Sequence, residues 1–344
     1  MTLTMVPSAD RLPAVLPTAR LTASGMPVPE VRAELRRIDD VRNVGSVALC
    51  WAQALVIIGG AAAIGRWWAY LAAIVLMGPT FARFAIAAHE AAHKLLFTNK
   101  RANDVVGRWL LAYPAFVPFD VYRRSHFAHH KEEFGPREPD MNLYVGYPVT
   151  RASLRRKLQR DAVGISGWKN LKPLVKALFS PGARPIALRI LGAQVVVLAL
   201  FTLAGRPELY PLLWLLPWMT SWRVINRLRS IAEHGGMERS PDRRRTTHHV
   251  RQSRLASFWL VPLNTGWHLA HHVDMGVPWR NLPALHRELV DAGWVTPDLE
   301  YRSYRALWRA LASRPPARPA TVSAGPAEGA AGGKVAAEPG VVRP

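Results

Sequence analysis

Residues 43–65 read NVGSVALCWAQALVIIGGAAAIG; after the single Arg66 the chain runs WWAYLAAIVLMGPTFARFAIAA over 67–88 and HEAAH over 89–93. The first run carries no charge and exceeds the roughly 20 apolar residues a helix needs to cross hydrocarbon. A buried helix of a soluble protein seldom stays apolar on every face for so long. With only Arg66 between them, the two runs are predicted to form a tight helical hairpin, with Trp67 and Trp68 at the membrane interface. Working outward, Pro185–Gly205 and Leu209–Asn226 form a second apolar pair, with Arg189 near the start of one and Arg223 near the end of the other. The lone arginines Arg83, Arg189 and Arg223 fall near one side of the membrane, where they could snorkel to the headgroups. The expectation is an all-α integral membrane protein with four transmembrane helices at about 43–65, 67–88, 185–205 and 209–226. The run Trp109–Phe119 is too short to span and is broken by Pro114 and Pro118, so an interfacial or re-entrant segment is predicted there.

Composition alone would hide this. The 344 residues are 49% hydrophobic and 20% charged with a mean hydropathy of +0.01, an ordinary soluble average. The average conceals segregation of charge. The balance of 45 Lys and Arg against 24 Asp and Glu gives +21. That suits an anionic membrane face or a phosphate-bearing partner. The turns between paired spans hold only Arg66 and Arg206, whereas His89–Arg184 and Arg227–Pro344 are rich in Lys and Arg. Positive-inside reasoning therefore puts both long segments and the N-terminal segment 1–42 on the cytoplasmic side; the resemblance described below looks bacterial and so favours a bacterial plasma membrane. Nucleic-acid binding is set aside, since topology explains the charge and no nucleic-acid motif accompanies it.

The single cysteine, Cys50, excludes an intrachain disulfide and a four-cysteine metal site. No apolar core follows a basic start in the first thirty residues, so no cleaved secretory signal is expected. A membrane domain is expected over 43–295, a helical extension over 296–312, and a disordered Pro-, Ala- and Gly-rich tail over 313–344.

All twelve histidines lie at or beyond His89. Three clusters stand out: His89-Glu-Ala-Ala-His93, His126-Phe-Ala-His129-His130 and His268-Leu-Ala-His271-His272. On a helix, residues three and four apart share a face, so each cluster can point its imidazoles at a metal. Neutral imidazole suits iron, zinc or copper. At this histidine content an HxxHH pattern arises by accident about 0.015 times per chain, so two copies are a strong signal. HxxxH alone is weak; it matters here because it continues a span.

An HxxxH box closing the first hairpin, an HxxHH box some thirty residues later, a second hairpin and a final HxxHH box resemble the membrane fatty acid desaturase family. HEAAH followed by KLLF, SHFAHHKEE, RSIAEHGG and HLAHHVDMGVPWRNLPALHREL carry the resemblance. It implies a cytosolic helical cap holding two iron ions, with O2 as co-substrate and a fatty acyl lipid or acyl thioester as substrate. The ligands it implies are His89, His93, His126, His129, His130, His268, His271 and His272, with His234 of Ala-Glu-His-Gly-Gly added. His126 could instead donate to a carboxylate behind the ligand set. Some members carry an Asn four residues before the last of these; here Ser230 stands there. Glu90, Asp140, Glu233 and Asp274 could orient the imidazoles from behind, or be ordinary solvated carboxylates.

His248, His249 and His286 match no box and are expected to be solvated or packed against the surface. Arg123, Arg124, Arg243, Arg244 and Arg245 are read as topology-setting charges in preference to a headgroup or coenzyme-phosphate site. No cytochrome b5 signature, cysteine cluster or dinucleotide fingerprint is present, so electrons must come from a separate donor: a ferredoxin, a flavoprotein or a cytochrome b5-type protein. Competing readings are a lipid or hydrocarbon hydroxylase using the same boxes, a membrane protein that binds metal without turnover, and a membrane zinc metalloprotease. The last rests on HEAAH as HExxH with Glu90 as base, which leaves most box histidines unused.

Overall fold

The computed structural model describes residues 4–315; the expected tail lies outside the described residues apart from its first three positions. A polar N-terminal segment leads into a short helix α1 (Pro29–Leu35) and then α2 (Asp40–Ile64) and α3 (Trp67–Ala92). Asp39 caps α2 by accepting from the Arg42 N–H, and Gly65 ends it at φ 64°, the left-handed conformation a helix C-terminus favours in glycine. The hairpin turns there, as the sequence predicts. Large apolar side chains such as Leu55, Val56 and Leu71 stand exposed on its outer face, as a lipid-facing surface requires.

After α3 the chain forms α4 (Lys100–Val106) and a wide turn of helix over Gly107–Ala112, and then dips through irregular backbone to α5 (Phe119–Glu132). That irregular stretch is the run predicted as interfacial or re-entrant. Its carbonyls are satisfied by side chains: Gln194 donates to Tyr113 O at 2.7 Å, Trp214 to Pro114 O at 3.1 Å and Trp218 to Ala115 O at 2.8 Å. Non-helical backbone at membrane depth survives only when protein supplies such partners. The cap continues with α6 (Met141–Tyr144), α7 (Arg151–Ala162) and α8 (Ile165–Ala177), before α9 (Arg184–Leu203) leaves it as an apolar helix.

The fourth span needs correction. Among the described residues three helices are long and apolar enough to cross a membrane: α2, α3 and α9. The run predicted as one helix over 209–226 is instead a wide helical turn at Tyr210–Leu215, α10 (Leu216–Met219), a break at Thr220, and the polar α11 (Ser221–His234). Pro211 and Pro217 remove backbone donors, and Trp214 and Trp218 spend their indole N–H groups on the re-entrant stretch. This broken passage brings the chain from the end of α9 back to His234. It packs closely on α3: a Cβ at Gly78 would lie 2.8 Å from Ile225 Cδ1.

Beyond α11 lie α12 (Arg254–Trp259), α13 (His268–Val273), α14 (Leu282–Asp291) and α15 (Tyr304–Leu311). Two-residue strands β1 (His249–Val250) and β2 (Glu300–Tyr301) pair in parallel, a small addition to an otherwise helical fold. The N-terminal segment is no loose leader. It straps across the cap through Met5 N–H to Gly236 O, Arg244 to Pro13 O, Arg20 to Glu288, and Arg32 and Arg36 to Asp274.

Candidate metal centre

Four helices bring the histidines together. His89 lies in the last turn of α3 and His93 caps it; Arg123 of α5 donates to Ala91 O and Ala92 O at 2.9 Å each, tying that helix end to the next box. α5 carries His126, His129 and His130, α11 ends at His234, and α13 carries His268, His271 and His272.

The rings sort into two groups. In the first, ligand-capable atoms of His89, His93, His126, His130 and His271 all lie within 4.8 Å of one another. In the second, the same limit holds for His129, His234, His272 and Glu133. His268 joins this group, its Nε2 standing 3.1 Å from His234 Nε2 and 3.0 Å from His272 Nε2. Each HxxHH box is therefore divided. The i and i+4 residues face one group, and the i+3 residue faces the other: His126 and His130 against His129, and His268 and His272 against His271.

The donor set suits cations. In the first group Nε2 of His126 is 2.9 Å from that of His93 and 3.0 Å from that of His130, which is 3.0 Å from that of His271. Two nitrogens bound at right angles to one metal at about 2.1 Å stand about 3 Å apart. Burial first, then the neighbouring imidazoles, hold His126, His130, His271, His272 and His268 well below the ordinary histidine range, and burial with His129 does the same for His234. The rings are thus neutral, the form that ligates. His129 differs. Burial works against its proton, but the Glu138 carboxylate outweighs it and holds the pKa above its usual value.

Behind the second group stands a ring of acceptors. His129 Nδ1 meets Glu138 Oε1 at 2.8 Å, and His234 Nδ1 donates to Thr246 O at 2.9 Å. His272 Nδ1 meets the Glu133 carboxylate, and His268 Nδ1 lies 3.7 Å from Glu233, which Arg229 holds at 3.0 Å. Such outer partners fix the tautomer and the ring orientation.

Of the four carboxylates singled out from sequence, Glu233 reaches His268, and Asp140 shares a 4.8 Å cluster with His129 and Glu138. Glu90 is engaged elsewhere, accepting from the Trp279 N–H at 2.9 Å. Asp274 reaches no imidazole; Arg32, Arg36 and the Gly276 N–H take its oxygens. Glu133 and Glu138 were missed. Glu133 follows His129 by four positions, a helical signal that could have found it; Glu138 lies past the end of α5, where no periodicity reaches.

His248, His249 and His286 are not solvated or at the surface: all three are buried. His248 Nε2 donates to Gly235 O at 2.7 Å, and His249 stacks on His286 at 4.6 Å. The arginines read as topology-setting charges have internal partners: Arg123 on the end of α3, Arg243 with Glu133, Arg244 with Asp242 and Arg245 with Glu238. Arg124 is exposed.

Over 229 residues the chain is 26% identical to dihydrorhizobitoxine desaturase of Bradyrhizobium elkanii, a match covering 62% of this chain and 65% of that protein's length. The sequence model of the family described as fatty acid desaturase matches residues 65–306, a stretch that takes in α3, every histidine of both groups and the start of α15. With that match over most of its length, the chain belongs to the fatty acid desaturase family.

Proposed function

We propose that the protein is an O2-dependent di-iron desaturase that introduces a double bond into an acyl chain, using electrons from a separate carrier. The observation that carries this reading is the convergence of nine imidazoles into two neighbouring groups at the end of an apolar helical hairpin. His89, His93, His126, His130 and His271 would hold one ion, and His129, His234, His268 and His272 the other. Bound there, two ferrous ions supply the O2-activating chemistry that lets hydrogen be taken from an unactivated methylene, which no side chain can do.

The protein's own part is positional. Glu138 and the Thr246 carbonyl hold the His129 and His234 rings in one orientation, with Glu133 and Glu233 close to His272 and His268, and the buried setting keeps all but His129 neutral. Asn103, Arg123 and the α3 carbonyls they bind hold the HxxxH box against α5. The exposed apolar faces of α2 and α9 and the excess of Lys and Arg on the histidine side support a multi-pass protein with its metal groups facing the cytoplasm, in a bacterial plasma membrane. Dehydrogenation is preferred to hydroxylation because the relative's name is that of a desaturase. A zinc protease is disfavoured because a single zinc held by HExxH would leave most of the converging imidazoles unused.

The test is expression in a host of defined lipid composition followed by mass analysis of the acyl chains. Loss of two hydrogens is expected. Gain of one oxygen would make the protein a hydroxylase, and no change in any acyl pool would overturn the reading.

A further inference from the structure

A cleft of about 540 Å³, lined by none of the apolar helices' exposed side chains, descends to His93, His130 and His272, ligand candidates drawn from both groups. The cleft meets these rings from outside. The Nε2 atoms of His93 and His130 point to other imidazole nitrogens of the first group and that of His272 to His268 in the second, so the floor presents the backs of the rings. A substrate carbon would need the inner face; an electron needs only the ring edge.

The rim is basic. Arg32, Arg36, Lys131 and Arg243 line it. Asp274 serves both Arg32 and Arg36, and Glu133 serves Arg243. Lys131 is exposed and has no carboxylate within ion-pair distance among the described residues. Two of the four positive charges are therefore left over. Inside that rim sit two half-exposed apolar side chains, Met275 and Phe127, and the Phe127 ring packs on His93 at 5.3 Å. An apolar centre within a ring of uncompensated like charge is what a transient, electrostatically steered partner uses.

We propose that this cleft docks an acidic one-electron carrier protein, with Lys131 and the Arg32–Arg36 pair steering it and Phe127 as its apolar contact above His93. The proposal rests on the di-iron reading, which requires an external reductant. Each docking oxidises the carrier by one electron and reduces one ferric ion to ferrous. Two dockings supply the two electrons that, with two protons and the two hydrogens leaving the substrate, convert O2 to two waters.

The probe is a plant-type [2Fe–2S] ferredoxin, an acidic carrier. In detergent, binding of oxidised ferredoxin to the full-length, metal-free protein is measured by titration calorimetry; on the iron-loaded protein, reduction by reduced ferredoxin is followed by stopped flow. Lys131→Glu is expected to weaken binding and slow second-order reduction about tenfold at low salt, with the difference vanishing near 1 M salt. Phe127→Ser should weaken binding by a similar factor without changing its salt dependence. Reduction by a small, uncharged mediator should be unaffected by either substitution. Both variants are altered at exposed side chains, and a thermal midpoint matching the parent excludes misfolding. Wild-type-like binding and reduction in Lys131→Glu, or no binding of the parent protein, overturns the proposal. So does a raised KM for acyl substrate with ferredoxin binding intact, which would make the cleft a substrate mouth. Parent protein that binds ferredoxin yet yields no oxidised acyl product would instead count against the enzymatic reading and leave the docking site standing.

Discussion

The two histidine groups share α5 and α13, the first adding α3 and the second α11, and they are differently supported. The first is all imidazole: none of its five rings is hydrogen-bonded to a carboxylate among the described residues. The second has fewer rings but is backed by Glu133, Glu138, Glu233 and the Thr246 carbonyl. Carboxylates behind a ligand raise its basicity and add negative charge near the ion. The contrast teaches that ligand count and ligand support trade against each other. The second group is expected to hold its ion through a few well-oriented rings, the first through many.

The sharpest way to break this comparison uses two adjacent residues. His271→Ala and His272→Ala should each abolish turnover, but each should remove a different ion, so that metal analysis finds about half the parent content in both. Loss of all metal in either variant, or of none, would show that the groups are not separate sites. Next in size, Glu138→Gln should weaken the second ion by about 10–100-fold, the usual cost of losing an orienting partner, and leave the first untouched. Glu90→Gln should leave metal content unchanged in a competition titration with a chelator. If Glu90→Gln matched Glu138→Gln, the assignment of support to the second group would fail.

The buried but non-ligating histidines provide a control that separates burial from ligation. Burial pushes His248, His249 and His286 down to about 4 from an ordinary 6.5. A depressed folded-state value means the unfolded chain binds protons first. Stability from these groups is therefore complete above pH 6.5 and is lost as pH falls from there toward 4. Thermal midpoints across that window should drop, and His286→Gln should flatten the decline. A midpoint independent of pH between 6.5 and 4 would contradict their burial. The smallest effect concerns the spacing of α3, which carries His89, and α11, which carries His234. Gly78→Ala places a methyl against Ile225 Cδ1 and Ser221, and overpacking of this kind costs about 1–3 kcal/mol. Chemical denaturation should report it, with both ions retained.

Several features were legible in the chain itself for particular physical reasons. The hairpin at 43–88 was readable because hydrocarbon thickness sets a length that few other structures demand. The boxes were readable because helical geometry relates residues three and four apart. The break at Thr220 was not: Pro211 and Pro217 are tolerated in many apolar helices, and the re-entrant carbonyls that recruit Trp214 and Trp218 lie about a hundred residues away. Glu138 escaped notice because it approaches His129 from a loop. His248, His249 and His286 were misjudged because nothing local signals burial; the packing of β1 on β2 and of α14 beside it creates the covered pocket. Asp274 was among the carboxylates that could have oriented an imidazole, and only the N-terminal strap, with Arg32 and Arg36, shows where its charge goes.

Length, charge asymmetry and histidine spacing alone determined that the chain is helical, enters a membrane and carries three imidazole boxes, since all three are properties of single segments. How the boxes divide was decided by the tertiary structure. Within each HxxHH box the outer pair faces one group and the inner residue the other, and that division depends on how α3, α5, α11 and α13 are brought together. Segments far apart in the chain do this, through contacts such as the close approach at Gly78 and the arginine clamp on the end of α3, which no local pattern encodes.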